Sequence, residues 1–207
     1  MSNYPRTQNQ QTFVFIKPDA VQRSLTGTFI QKFEQAGLKV VASKFIIPEE
    51  AKLWVHYNKS DEWYTQKGQN TINNLQEKGI EITKPAIEYG KDIINALIQF
   101  MTAGPVMALV LEGNEAVDVV VKLVGSTEPK SSDVGTIRGD YTTDSYKISN
   151  LDGRAVRNLI HCSDTPENAK SEINIWFEPS EIVKYNNVND IILYDLSWSH
   201  ISEQGEI

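Results

Sequence analysis

Residues 154–169 read RAVRNLIHCSDTPENA, and the fold depends on how that stretch divides. NLIHC, 158–162, is a short apolar run of strand character. Asp164 or Thr165, followed by Pro166 and Glu167, is a strong helix start for a segment reaching Phe177. A histidine therefore stands where a strand hands over to a helix. On these residues alone, His161 could be a buried structural residue, a metal ligand or a nucleophile, and a lone histidine on an apolar strand is more often the first than the last.

Working outward, TFVFI (12–16) is a buried strand closed by Lys17 and Pro18, because proline cannot continue a central strand but suits a helix's first turn. A helix to Ala36 with Gly37 as its stop, a strand at 38–47 and a helix at 48–57 follow. Residues 58–100 are polar and helix-like, and 93, 94, 97, 98 and 101 form an apolar stripe. GPVMALVLEG (104–113) is a strand, 114–125 a helix, and 126–153 a long turn-rich stretch. The order is an α+β one. It fits a ferredoxin-like βαββαβ sandwich of four strands with helices packed on one face, an inserted helical segment and an extended loop before the last core strand. We read 1–207 as one domain, with a flexible N-terminus over 1–10, a helical insertion over about 58–92 and a loop insertion over about 141–155.

The formal charge of −7 argues against a general nucleic-acid or membrane-surface partner, since phosphate-rich polymers attract basic faces. The single Cys162 forms no intramolecular disulfide and fits a reducing compartment. The polar run after Met1 has no apolar core of a secretion signal, and no apolar run is long enough to span a bilayer, so the expected location is cytoplasmic.

FIKPDAV (15–21), GTIRGD (135–140) and NLIHCSD (158–164) each place a cation or nucleophile at a strand edge or in a glycine-rich loop: Lys17, Arg138 and His161. Lysine and arginine neutralise phosphate oxygens, glycines let backbone approach a ligand, and Thr127 adds a hydroxyl. Phosphoryl transfer needs little more than such positioning and charge neutralisation.

In this order IKPD, GTIRGD and NLIHxSD, with GPV before a strand and VGSTEP after a helix, resemble the nucleoside diphosphate kinases from about Thr12 to Tyr185. The resemblance implies a ping-pong exchange in which His161 takes the γ-phosphate of a nucleoside triphosphate, mainly ATP, and passes it to a nucleoside diphosphate. It also implies that Lys17 contacts the γ-phosphate and sugar hydroxyl, that Tyr57 lies near the histidine, and that Thr127 and Arg138 hold phosphates. Asn158 would take the ribose, and Ser163 and Glu172 would orient the imidazole. Mg2+ is expected with the nucleotide, with Asp164 nearby, and the chain is expected to be a homo-oligomer, a hexamer or a tetramer of dimers.

The chain departs from that pattern in places. Val121 stands where an arginine is usual, followed by Lys122, a candidate substitute although neighbouring helix positions point about 100° apart. Tyr64, with Trp63, is the candidate for stacking on the base. Val134 replaces a common proline, and Cys162 replaces a small residue beside the histidine, where we read it as an inert hydrophobe. His56 and His200 read as structural or surface residues. Val121 also admits an alternative, a weak nucleotide-binding scaffold of the same fold.

Overall fold

The computed structural model describes residues 10–194. The loose N-terminus expected over 1–10 therefore lies, apart from Gln10, outside the described residues, as does His200. Gln10 already pairs with Gly113.

Four strands, β1 (Gln10–Ile16), β2 (Lys39–Ile46), β3 (Val106–Gly113) and β4 (Ile160–Cys162), form one sheet in the order β2-β3-β1-β4. All three pairings are antiparallel, as the βαββαβ order requires. The apolar run in β1 is central, and Phe13 to Ile16 are all fully buried. The register sets Phe15 opposite His161, so the imidazole shares a sheet face with Phe13 and Phe15.

Helices cover both faces, not one. The crossover helices α2 (Thr26–Gln35) and α6 (Ala116–Val124) pack Phe29, Phe33, Val120 and Val124 against Val14, Ile16, Leu109 and Leu111. Helices α3 (Glu50–His56), α5 (Ala86–Thr102) and α9 (Pro166–Trp176) cover the Phe13/Phe15 face with Leu53, Ile98, Met101, Ile173 and Trp176. A continuous apolar run such as FVFI is the mark of a strand buried on both sides. The helix expected from Pro18 to Ala36 is broken into α1 (Pro18–Gln22) and α2 by Ser24, whose φ is +56°.

The inserted segment supplies α4 (Asp61–Gln76), which packs antiparallel-fashion on α5 at two glycines. A Cβ added at Gly68 would land on the carbonyl of Ala86, and one at Gly90 on the carbonyl of Tyr64. The turn-rich stretch before β4 folds into α7 (Ile137–Tyr141) and α8 (Tyr146–Leu151). No helix among the described residues is long and apolar enough to cross a membrane.

Candidate active site

β4 carries His161 out of a sharp backbone turn. Leu159 has φ +69°, and Ile160 N–H donates to the carbonyl of Asn158 two residues back. A three-residue turn with positive φ is rare and strained for a branched residue, and such strain persists only where surrounding contacts over-determine it. Here they do: Leu159 N–H donates to Asp19 Oδ2 at 3.1 Å, and Leu159 C=O accepts from Lys17 N–H at 2.8 Å. The aspartate of IKPD is thus a structural anchor that the sequence reading passed over.

The imidazole is oriented from α9. Thr165 caps this helix by accepting from Asn168 N–H, and Pro166 opens it, as the sequence suggests. Glu172, two turns in, brings Oε2 to 3.1 Å from His161 Nε2, and Ser163 Oγ–H donates to the same oxygen at 2.6 Å. An ionised carboxylate only accepts, so Nε2 carries the ring proton and Nδ1 keeps its lone pair.

Two buried cations, Lys17 and Arg138, are bonded to the turn that carries His161. Lys17 Nζ–H donates to Asn158 Oδ1 at 2.8 Å, and Asn158 Nδ2–H donates to the carbonyl of Thr127 at 2.9 Å. Burial, and next the charge of Arg138, pull the Lys17 ammonium down to about 8. Arg138 donates from Nη1 to Gly125 C=O (2.8 Å), from Nη2 to Ile160 C=O (2.7 Å) and from Nε to Asn158 C=O (3.3 Å). Its guanidinium is therefore first a brace between the end of α6 and the turn at Leu159, with two of its five N–H groups outside these bonds. Tyr57, whose ring lies 5.7 Å from that of His161, has a buried hydroxyl without a partner.

Three expected residues are placed otherwise. Tyr64 is in the hydrophobic core, with only 8% of its surface exposed, so its ring has no free face for a base; Trp63 beside it is partly buried. Lys122 projects from α6 nearly opposite the buried stripe of Ala116, Val117, Val120 and Val124, exposed and outside the hydrogen-bonded set, while Val121 flanks that stripe. Asp164 is exposed and accepts from Asn168 Nδ2–H at 2.7 Å at the start of α9. Cys162 points to the other sheet face by strand alternation, and burial pushes its thiol up to about 11, away from the reactive thiolate form.

His56, read as structural or surface, is buried and its ring centroid lies 4.6 Å from that of His161. Among the described residues, His56, His161 and Glu172 are the one group spaced to share a metal ion. The donor chemistry argues against it. Trp176 Nε1–H, which can only donate, points at His56 Nδ1 at 3.3 Å, so His56 carries its proton on Nε2 and offers no lone pair there. A divalent ion is better held by nucleotide phosphates than by this trio.

An imidazole with a free nitrogen, steadied by a carboxylate on a strand turn braced by two buried cations, is equipment for moving a phosphoryl group. The family model described as nucleoside diphosphate kinase matches residues 10–73 and 86–182. The nucleoside diphosphate kinase of Pyrobaculum aerophilum is 42% identical over 180 residues, which is 84% of this chain and 98% of that protein. Its crystal structure matches with a TM-score of 0.79 at 41% identity, over 85% of this chain and 100% of that one. A structure of the Borrelia burgdorferi enzyme with bound vanadate and ADP, described as a transition state mimic, matches with a TM-score of 0.73 at 35% identity, over 88% and 95% of the two chains. The chain belongs to the nucleoside diphosphate kinase family, and it is a phosphotransferase of that type. The family model leaves 74–85 unmatched, a narrower segment than the insertion read from the sequence.

Proposed function

We propose that the protein exchanges phosphate between nucleoside tri- and diphosphates in two half-reactions through Nδ1 of His161. The observation that carries this reading is the 3.1 Å contact from Nε2 to Glu172, which leaves the lone pair on Nδ1. In the first half-reaction the Nδ1 lone pair bonds to the γ-phosphorus, and the bond to the β,γ-bridging oxygen breaks, its electrons leaving with the diphosphate. The ring becomes cationic, and Glu172 compensates it across the retained Nε2–H. In the second, the terminal oxygen of another diphosphate attacks phosphorus and the N–P electrons return to Nδ1. That oxygen is already anionic, so no general base is needed.

Lys17 neutralises the moving phosphoryl group, and the orphan hydroxyl of Tyr57 donates to one of its oxygens. Thr127 and the two remaining N–H groups of Arg138 take the other phosphates. Asn158, although bonded to Lys17 and Thr127, keeps one N–H and one lone pair for the ribose. With Tyr64 buried, Trp63 is the remaining candidate to stack on the base. Magnesium, bound to the nucleotide phosphates, would offset their charge. Residues that follow β1 and α3 meet residues of β4 and α9 at this one site, which supports a single catalytic domain. The cytoplasm suits the lone thiol, and a homo-oligomer, a hexamer or tetramer of dimers, suits the exposed Phe45 and Ile47 on and beside edge strand β2.

Incubation with γ-labelled ATP followed by alkaline quench tests the mechanism. The expected result is a label that is acid-labile, maps to the His161 peptide and is discharged by any nucleoside diphosphate. An acid-stable label on a hydroxyl residue would overturn it.

The alternative of a weak relative rests on Val121, which is partly exposed where the family's pattern has a phosphate-clamping arginine. Val121→Arg is expected to tighten diphosphate binding roughly tenfold, the scale of one charge-assisted hydrogen bond. Calorimetric titration reads this directly, and unchanged affinity would mean that other cations already serve the position.

A further inference from the structure

Among the described residues, His56 is the buried polar side chain beside the nucleophile to which the two-step exchange assigns nothing. Its side chain is fully buried between α3 and α9, yet its Nε2 has no hydrogen-bond partner. Trp176 fixes which nitrogen bears the proton: Nδ1 accepts from the indole at 3.3 Å, so Nε2–H is a donor. That donor lies 4.0 Å from Glu172 Oε1, the carboxylate oxygen that His161 and Ser163 leave unused. Burial, and next the neighbouring His161, push the His56 imidazolium down to about 2, so the ring stays neutral throughout the working range and never competes as a second cation.

Glu172 and Trp176 are one helical turn apart on α9, on the same face. One imidazole therefore spans both: it accepts from the indole and aims its proton at the carboxylate. A buried donor without an acceptor is costly, and a rotation of the Glu172 carboxylate would close the gap.

We propose that His56 is a positioning residue for phosphoryl transfer. Its Nε2–H clamps Oε1 of Glu172 when His161 becomes a cationic phosphohistidine, so that Oε2 stays aligned with His161 Nε2–H. The ordered chain is Trp176 Nε1–H to His56 Nδ1, His56 Nε2–H to Glu172 Oε1, and Glu172 Oε2 to His161. No proton moves along it; it holds a carboxylate against turning. The inference rests on the proposed role of His161.

Rapid-quench measurement of phosphoenzyme formation, combined with 15N spectra of the histidines, tests it. His56→Phe is expected to slow phosphorylation at saturating ATP roughly 10- to 100-fold, the scale of one hydrogen bond to a charged group, with half-saturating ATP little changed. His56→Gln, whose amide N–H can stand in for Nε2–H, is expected to recover most of the rate. In the wild type, His161 is expected as the Nε2–H tautomer; in His56→Phe, as a mixture of both tautomers. Equal losses in the two variants with an unchanged His161 tautomer would reduce His56 to a packing residue and overturn the proposal, as would wild-type rates in His56→Phe. Should that variant not fold, Trp176→Phe decides: it frees His56 to swap tautomers, so a slower phosphorylation supports the clamp and an unaltered rate overturns it. Failure of the wild type to label at His161 would instead sink the exchange mechanism, while the tautomer spectra would still report on the clamp.

Discussion

Lys17→Met is expected to raise the stability of the fold while lowering kcat/KM by about 10²–10³-fold, the usual scale for losing one preorganised charge at a reacting phosphate. The lysine is only 5% exposed and has no carboxylate bonded to it; its hydrogen-bond partner is the neutral side chain of Asn158. Its pKa of about 8 lies below the ordinary 10.5, because burial and Arg138 both disfavour the charge. Below pH 8 folded and unfolded states both hold the proton, and the folded state bears the full cost of the buried charge, on the order of 3 kcal/mol from the displacement of the pKa. Between pH 8 and 10.5 the unfolded chain binds more proton than the folded one, so this group's contribution makes stability rise with pH. Methionine removes the cost but leaves Asn158 Oδ1 without its donor, which returns about 1 kcal/mol. Urea titrations at pH 7 and pH 10 check both parts. The variant's midpoint should exceed that of the wild type at pH 7, and the gap should narrow at pH 10. A variant less stable than the wild type at pH 7 would mean that the lysine is an ordinary structural residue.

Gly68→Ala and Gly90→Ala are each expected to destabilise the protein by roughly 3 kcal/mol or more, at the top of the range for overpacking. In both cases the new methyl group meets backbone, a carbonyl of the facing helix, not the movable end of a side chain. The helices must separate, and α5 also carries Ile94, Ile98 and Met101 of the core, so the cost spreads into the sheet. Gly27→Ala is the contrast. It lies in α2 with nothing within 4 Å of the added Cβ, and should stabilise by up to about 1 kcal/mol through helix propensity. Urea midpoints of the three variants test the crossing, and a loss below about 1 kcal/mol at both Gly68 and Gly90 would contradict it.

Much of this was readable from residue order. The strands, the crossover helices and the start of α9 follow from apolar runs and caps, and Lys17 and His161 stand out at strand edges; Asn158, Ser163 and Glu172 come from the family resemblance alone, and the structure bonds these five side chains into two groups. What sequence could not give is what depends on tertiary partners. Arg138 looks like a free phosphate ligand because its three acceptors are backbone carbonyls, which no side-chain pattern reveals. Tyr64 looks available for stacking because its burial depends on α4 lying against α5. His56 and Trp176 are 120 positions apart, and only their meeting across two helices gives His56 a fixed proton. That His56 directly precedes Tyr57 was the available signal: a helix end carrying one site residue presents its neighbour close by.

The turn at Leu159 has a consequence for how the protein lets go of its ligands. By bending sharply it splays three successive carbonyls, two toward the guanidinium of Arg138 and one toward the backbone of Lys17. The arginine is thus solvated by peptide dipoles, which steady a charge without cancelling it. A carboxylate in that place would have made a neutral pair that an incoming phosphate had first to break. Peptide dipoles ask for no such exchange of partners, so in the proposed exchange a diphosphate would meet an arginine whose surroundings stay the same. For the proposed two-step exchange, which must release one nucleotide before accepting the next, that constancy spares a rearrangement at each release.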